Sequence, residues 1–446
     1  MRISEPPNIV LLHWHDVGRR VAPYEDHGWT PTLRSLAARS VVFDQAFCTA
    51  PVCTPARGSL FTGMHPHRNG LMGLAHLGWR YHAGQQTLAH LLGEAGYHTA
   101  LVGLQHESQD AGELGFEEIL QDDTLAPPGM GGHLREHEAP QYCGPVAELA
   151  RQFLLGRPHR GGPFFASIGF WEVHRPYPPE RYRAVDPASV PVPAYLADRP
   201  GVRHDLAGFF GAAHQADAAV GVVLEALVGA GLDENTWVVF TTDHGEAFPR
   251  AKGTLYDPGL GVALMVRPPP GWLGPRRRVD ALVSHVDVLP SLLELAGAAI
   301  PDGLDGVSLV PLLEGSAGRV RPAVFAQQNW HDPDNYDPMR CIRTSDFKYI
   351  RNYGNLAGRR LPGDVAASSS VEGMRDDLLS SRSPVELYDL RHDRQEQHNV
   401  AGRRDYAEIE AALASELDRW RIETADPLLR GAIPDPHGHV PASGAR

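Results

Sequence analysis

At 446 residues with a formal net charge of -13, the chain is too long for one small domain. It is also too acidic for a nucleic-acid binder, whose affinity would rest on a basic face matched to phosphate. Hydrophobic residues make up 42% and charged residues 21%, ample for a large globular core, while no apolar run approaches the length that spans a bilayer.

The segment 1–7 leads straight into an apolar strand without a secretory leader, so the cytoplasm is the expected compartment. Residues 8–14 (NIVLLHW) read as a buried parallel strand ending in His15-Asp16. A helix is expected over 32–38 and a strand over 41–43, followed by Cys53-Thr54-Pro55-Ala56-Arg57. A helix over 86–95 stops at Gly96, and 99–102 is the next strand. Residues 164–170 (FFASIGF) deliver Trp171 to Tyr177, and 237–242 (WVVFTT) deliver Asp243-His244-Gly245-Glu246. Between them, 214–228 has helical periodicity and suits a crossover in a parallel sheet. Alternation of this kind predicts an α/β sandwich. Near residue 320 the texture changes: 341–344 and 347–350 read as short antiparallel strands, 356–382 as a long loop, and 406–422 as a closing helix. The expected division is a catalytic α/β domain at 1–325 and a smaller α+β subdomain at 326–446. The polar tail after Leu429 either wraps the core or is disordered.

The four cysteines, Cys48, Cys53, Cys143 and Cys341, are too few and too scattered for a disulfide framework or a zinc knuckle. Cys53 opens a Cys-x-Pro-x-Arg pentapeptide that should follow a cysteine about once in 400 cases at average composition. One reading is a buried structural cysteine before a helix. The other is a nucleophile whose anion is favoured by free N–H groups at a helix start, with Arg57 one turn on to hold an oxyanion.

Cys53-Thr54-Pro55-Ala56-Arg57 followed by Leu60-Phe61-Thr62-Gly63 resembles the sulfatase signature. So do Pro7-Asn8-Ile9-Val10, His15-Asp16-x-Gly18, Thr30-Pro31-Thr32-Leu33, Ala46-Phe47, Thr242-Asp243-His244-Gly245 and Glu386-Leu387-Tyr388-Asp389-Leu390, in family order across most of the chain. The resemblance implies an alkaline phosphatase-like fold, in which a large, mostly parallel sheet is sandwiched by helices beside a small antiparallel sheet. It also implies that Cys53 is converted by a formylglycine-generating enzyme to formylglycine, whose hydrate attacks sulfur. Asp16, Asp243, His244 and residue 53 would hold one divalent ion. His15 stands where the family has a second aspartate and reads either as a ligand or as a hydrogen-bond partner. The family metal is calcium; two imidazoles beside two carboxylates suit manganese or zinc better.

His106, His174 (in His-x-Pro-Tyr) and Lys252 match further family positions, and Leu104 replaces a lysine. The implied mechanism is in-line displacement at sulfur, with His174 or Lys252 protonating the leaving atom and His106 releasing sulfate. The stretch 248–259 looks most like the N-sulfoglucosamine sulfohydrolase branch, so a sulfated sugar is the expected substrate. Two alternatives stand beside this: a phosphonate monoester hydrolase or phosphodiesterase on the same scaffold, and a non-catalytic anion- or sugar-binding protein. His13, His65, His67 and His76 are read as structural or solvated. Loops at 122–141 and 352–383 carry no readable specificity code, and the oligomeric state, a homo-oligomer included, is open.

Overall fold

A computed structural model describes residues 6–121, 142–157, 161–275, 277–354, 356–358, 360–374 and 381–440. The expected specificity loop at 122–141 lies outside them. The first sheet is built from β1 (Asn8–Trp14), β2 (Val41–Phe47), β3 (His98–Gly103), β4 (Glu118–Leu120), β5 (Phe164–Gly169), β6 (Thr236–Thr242), β7 (Leu264–Arg267) and β8 (Arg278–Ser284). Their order is β4-β3-β5-β1-β6-β7-β2-β8. All neighbours run parallel except β7, which is antiparallel to both β6 and β2. Every residue of β1 is buried, as expected of a central parallel strand covered on both faces.

The helices are α1 (Pro31–Ala37), α2 (Cys53–Thr62), α3 (Pro66–Asn69), α4 (Leu88–Glu94), α5 (Cys143–Gly156), α6 (Pro200–Gly229), α7 (Asp257–Leu260), α8 (Val288–Ala296), α9 (Val310–Glu314), α10 (Gly363–Ala366) and α11 (Ala407–Glu423). One apolar core packs α5 and α6 against one face of the sheet, and a second packs α2, α4 and α8 against the other. The expected helix at 214–228 is the second half of α6, which begins at Pro200 with proline in its first turn. Its first half buries Val202, Leu206, Phe209 and Phe210 at i, i+4, i+7 and i+8, a regular helical period that continues the expected helix toward its N-terminus. The helix expected over 86–95 is α4, fixed by a capping box between Thr87 and His90.

A second, four-stranded antiparallel sheet, β9 (Val324–Trp330), β10 (Tyr336–Arg343), β11 (Phe347–Asn352) and β12 (Val385–Asp389), is ordered β12-β11-β10-β9. Leu413, Leu417 and Trp420 of α11 cover one face through Ile342, Tyr349 and Leu387, while Met339, Cys341 and Ile350 join the core of the large sheet. The expected long loop at 356–382 is not wholly irregular: it contains α10 and a 3-10 turn over Ser369–Gly373, both too short for a periodic signal. The tail wraps the core as far as it is described. Ile433 accepts a hydrogen bond from Trp330 Nε1 (3.1 Å) and packs on Leu71 and Trp79.

Candidate active site

Three strand exits meet at the carboxyl edge of the large sheet. In register, His13 of β1 faces Gly169 of β5, and Trp14 faces Thr242 of β6. Beyond the strands the pairing continues: Val173 N–H donates to the His15 carbonyl (2.8 Å) and Asp243 N–H to the Trp14 carbonyl (3.1 Å). Asp16 takes a left-handed conformation (φ 52°), and its own N–H donates to Asp243 Oδ1 at 2.9 Å. That contact offsets the cost of placing a non-glycine residue there. Gly245 after His244 is required sterically, because a Cβ would stand 1.8 Å from the Pro258 carbonyl oxygen.

Cys53 is the first residue of α2, at the end of a helix buried along its whole length. Its Sγ lies 3.4 Å from His244 Nε2 and 4.0 Å from both His15 Nδ1 and Asp16 Oδ1. Burial pushes the thiol up, but Lys252, His15 and His244 outweigh it and bring it down to about 6. Cys48, Cys143 and Cys341 are all raised by burial. Cys53 thus stands apart from the other cysteines.

His15, Asp16, Cys53, Asp243 and His244 present donor atoms within 4.8 Å of one another, all buried. His15 Nδ1 is 3.2 Å from both Asp16 Oδ1 and Asp243 Oδ2, and His244 Nε2 is 3.0 Å from Asp16 Oδ1. His244 donates its Nδ1–H to the Gly245 carbonyl (2.9 Å), which leaves Nε2 aimed inward as in metal-binding histidines. Burial lowers both imidazoles, but Asp243, Cys53 and Asp16 prevail, raising His15 to about 9 and His244 well above its ordinary value. Two carboxylates and a thiol therefore draw positive charge to the cluster's centre. Oxygen and imidazole donors in that arrangement fit a divalent cation.

Around this cluster the other expected residues converge. Arg57 is fully buried: Nε donates to Asp243 Oδ2 (3.2 Å) and Nη1 to His13 Nδ1 (2.6 Å). Lys252 Nζ lies 2.8 Å from both Asp16 Oδ2 and Asp364 Oδ2, and these carboxylates overcome burial to keep the amine charged. Its backbone is tied in by Gly253 N–H, which donates to the Pro51 carbonyl just before α2 (3.0 Å). His174 Nε2 is 3.7 Å from Asp16 Oδ2, and its Nδ1–H donates to the Arg175 carbonyl (2.7 Å). Burial lowers His174 to about 4. The His106 ring lies 5.5 Å from that of His15, centroid to centroid.

A family model described as Sulfatase matches residues 7–298, more than half of the chain. The chain belongs to the sulfatase family. A second model, for the C-terminal part of N-sulphoglucosamine sulphohydrolase, matches residues 245–361 of this sulfatase. Human N-sulphoglucosamine sulphohydrolase is 28% identical, with 96% of this chain and 92% of the human protein covered. A solved structure of a protein in complex with its substrate D-glucosamine-2-N,6-O-disulfate superimposes with a TM-score of 0.74 at 19% identity, covering 95% of this chain and 99% of that one. The phosphonate monoester hydrolase of Agrobacterium radiobacter shares the fold too, at a TM-score of 0.70 and 22% identity over 95% of this chain and 97% of its own. As a sulfatase this chain is a sulfuric ester hydrolase.

The sequence missed three residues of this sulfatase's site. His13, read as bland, receives Arg57 at Nδ1 and bonds Ser167 Oγ through Nε2 (2.9 Å). His76 stacks on His106 with centroids 5.9 Å apart. Asp364 comes from the segment read as loop and carried no signal, since it lies over a hundred residues from Lys252. His65 and His67 are structural as expected, packed edge-on against Trp420 of α11. Leu104 lines a small internal cavity with His13, Phe61, Tyr81 and Glu107 and adds no cation.

Proposed function

We propose that this sulfatase cleaves a sulfate ester or sulfamate of a sugar, using residue 53 as a formylglycine hydrate beside a single divalent ion, calcium or manganese. The observation that carries the reading is the placement of Cys53 at the first turn of α2, with its side chain against His244, His15 and Asp16. Asp16, Asp243, His244 and residue 53, with His15 as a further ligand, would hold the ion. When bound it would supply positive charge to residue 53 and to the sulfate oxygens. Arg57 braces Asp243 from behind, and Lys252 keeps a fixed charge beside Asp16.

One hydroxyl of the hydrate attacks sulfur while the bond to the leaving oxygen or nitrogen breaks, and the leaving atom takes a proton from the His174–Lys252 side. His106, whose ring lies beside that of His15, takes the proton of the remaining hydroxyl; sulfate departs and the aldehyde returns. Maturation requires a formylglycine-generating enzyme, and the cytoplasm is our expected compartment. The N-sulphoglucosamine sulphohydrolase relative and the neighbour bound to a glucosamine disulfate support the sugar.

The test is the mass of the tryptic peptide Ser40–Arg57 from protein made with the maturing enzyme, followed by turnover of sulfated and phosphonate substrates. Conversion lowers the peptide by about the mass of one water, with fragment ions assigning the change to Cys53 and not Cys48. Unconverted Cys53 in a competent host refutes the nucleophile. A preference for an aryl phosphonate monoester over every sulfate transfers the assignment to the phosphonate hydrolase reading, which the shared fold keeps in play.

A further inference from the structure

One carboxylate in the site is used neither by the metal cluster nor by the displacement described above. Asp364 is delivered by α10, which is fixed by Gly363 N–H donating to Asp332 Oδ2 (3.1 Å) in the turn after β9. Its Oδ2 is 2.8 Å from Lys252 Nζ. Donor atoms of Asp16, His174 and Asp364 lie within 4.8 Å of one another, so Asp364 sits on the leaving-group flank with His174. The side chain is 17% exposed, at the mouth of the site. Its Oδ1 is nevertheless buried and accepts from none of the described residues. A buried carboxylate oxygen without a donor is costly, and such an oxygen points to a ligand that brings one.

The chemistry of that donor is constrained. Sulfate oxygens are anionic acceptors and are repelled by a carboxylate, so the partner belongs to the leaving group. The bridging atom of a sulfate ester is an oxygen, which only accepts. The bridging atom of a sulfamate is a nitrogen carrying an N–H, which donates. The geometry points to Asp364 as a substrate-contacting residue that distinguishes the two: it accepts the bridging N–H of a sulfamate and disfavours the bridging oxygen of an ester. This deepens, and rests on, the sulfatase reading above. As the oxygen of residue 53 bonds to sulfur, the S–N bond breaks and its electron pair goes to nitrogen. Nitrogen takes one proton from Lys252, the charged group on this flank, and leaves as an amine. After a second proton from water, the ammonium pairs with Asp364, an interaction that grows along the reaction and therefore favours catalysis.

The test compares N-(4-nitrophenyl)sulfamate with 4-nitrophenyl sulfate, which differ only in the bridging atom, and adds N-sulfoglucosamine, in wild type and in Asp364→Asn. The expected result is a fall of about 10- to 100-fold in the sulfamate-to-ester ratio of kcat/KM, the scale of a lost charge-assisted hydrogen bond. Thermal melting and metal content establish that the variant is folded and loaded. Calorimetric binding of glucosamine, the amine product, is a second readout that needs no turnover and should weaken in the variant. An unchanged ratio, whether both substrates fall together or neither falls, overturns the proposal and leaves Asp364 as an anchor for Lys252. A wild type inactive on every sulfated compound sinks the sulfatase reading itself, and the proposal with it.

Discussion

His15 stands where the family pattern has a second aspartate, and its place among the donor atoms of the cluster supports the proposal that it is a ligand. Its Nδ1 stands 3.2 Å from a carboxylate oxygen of Asp16 and of Asp243, inside the ring of donors rather than behind it. A histidine serving only to orient a ligand would sit outside that ring and direct one N–H at one carboxylate. His15→Asn is therefore expected to weaken manganese binding by at least about tenfold, as removal of supporting or ligating groups commonly does. Calorimetric titration of purified protein measures this directly, and unchanged affinity would reduce His15 to a bystander. Arg57 is equally specific: a lysine there would lose the fork that engages Asp243 and His13 together.

At the scale of elements, the site is assembled by short turns that leave no room for error. Gly245 pairs with Gly259 through its N–H (2.9 Å) while its Cα faces the Pro258 carbonyl. In Gly245→Ala the new Cβ meets backbone that cannot swing aside, so a loss of about 3 kcal/mol or more is expected, with His244 displaced. Gly93→Ala in α4 is the control, since none of the described residues lies within 4 Å of that Cβ and a helical glycine replaced by alanine gains roughly 0.5–1 kcal/mol. Paired thermal melts of the two variants check this; equal melting temperatures would contradict it. The Glu386–Leu390 motif also acts between elements. Glu386 of β12 accepts from Tyr256 (2.8 Å) and Asn352 (2.7 Å), and Lys348 of β11 lies 2.6 Å from Asp257 and Glu396. These contacts bolt the small sheet to the segment that carries Lys252.

For the whole molecule, buried acids make stability depend on pH. Glu172, beneath the site on the β5 exit, is lifted by burial from its ordinary 4.5 to about 7, although the Cys143 N–H donates to it at 2.9 Å. Because the folded value is the higher one, the folded chain keeps a proton that the unfolded chain releases. The contribution is therefore full below pH 4.5 and is lost as pH rises through 7. Glu172→Gln removes this dependence. Relative to wild type, its stability should improve by about 1.4 kcal/mol per pH unit across that window and stay level outside it. Urea denaturation at a series of pH values reads the slope; a difference independent of pH would mean that Glu172 titrates alike in the folded and unfolded chains.

The sequence by itself determined the elements that announce themselves locally. A wholly apolar β1, the strand ends bearing Asp16 and Asp243, and the Cys53–Arg57 turn are legible because strand burial, helix starts and compact motifs depend on neighbours in the chain. The same local logic placed the two later antiparallel strands and α11. Other features were decided only by tertiary structure. The antiparallel insertion of β7, the docking of His13 on Arg57, the stacking of His76 on His106 and the arrival of Asp364 at Lys252 all join residues far apart in sequence. A single polar side chain has no period and no spacing to reveal it. Its partner is chosen by where folding brings the backbone, and by the cost of leaving a buried charge or donor unmatched.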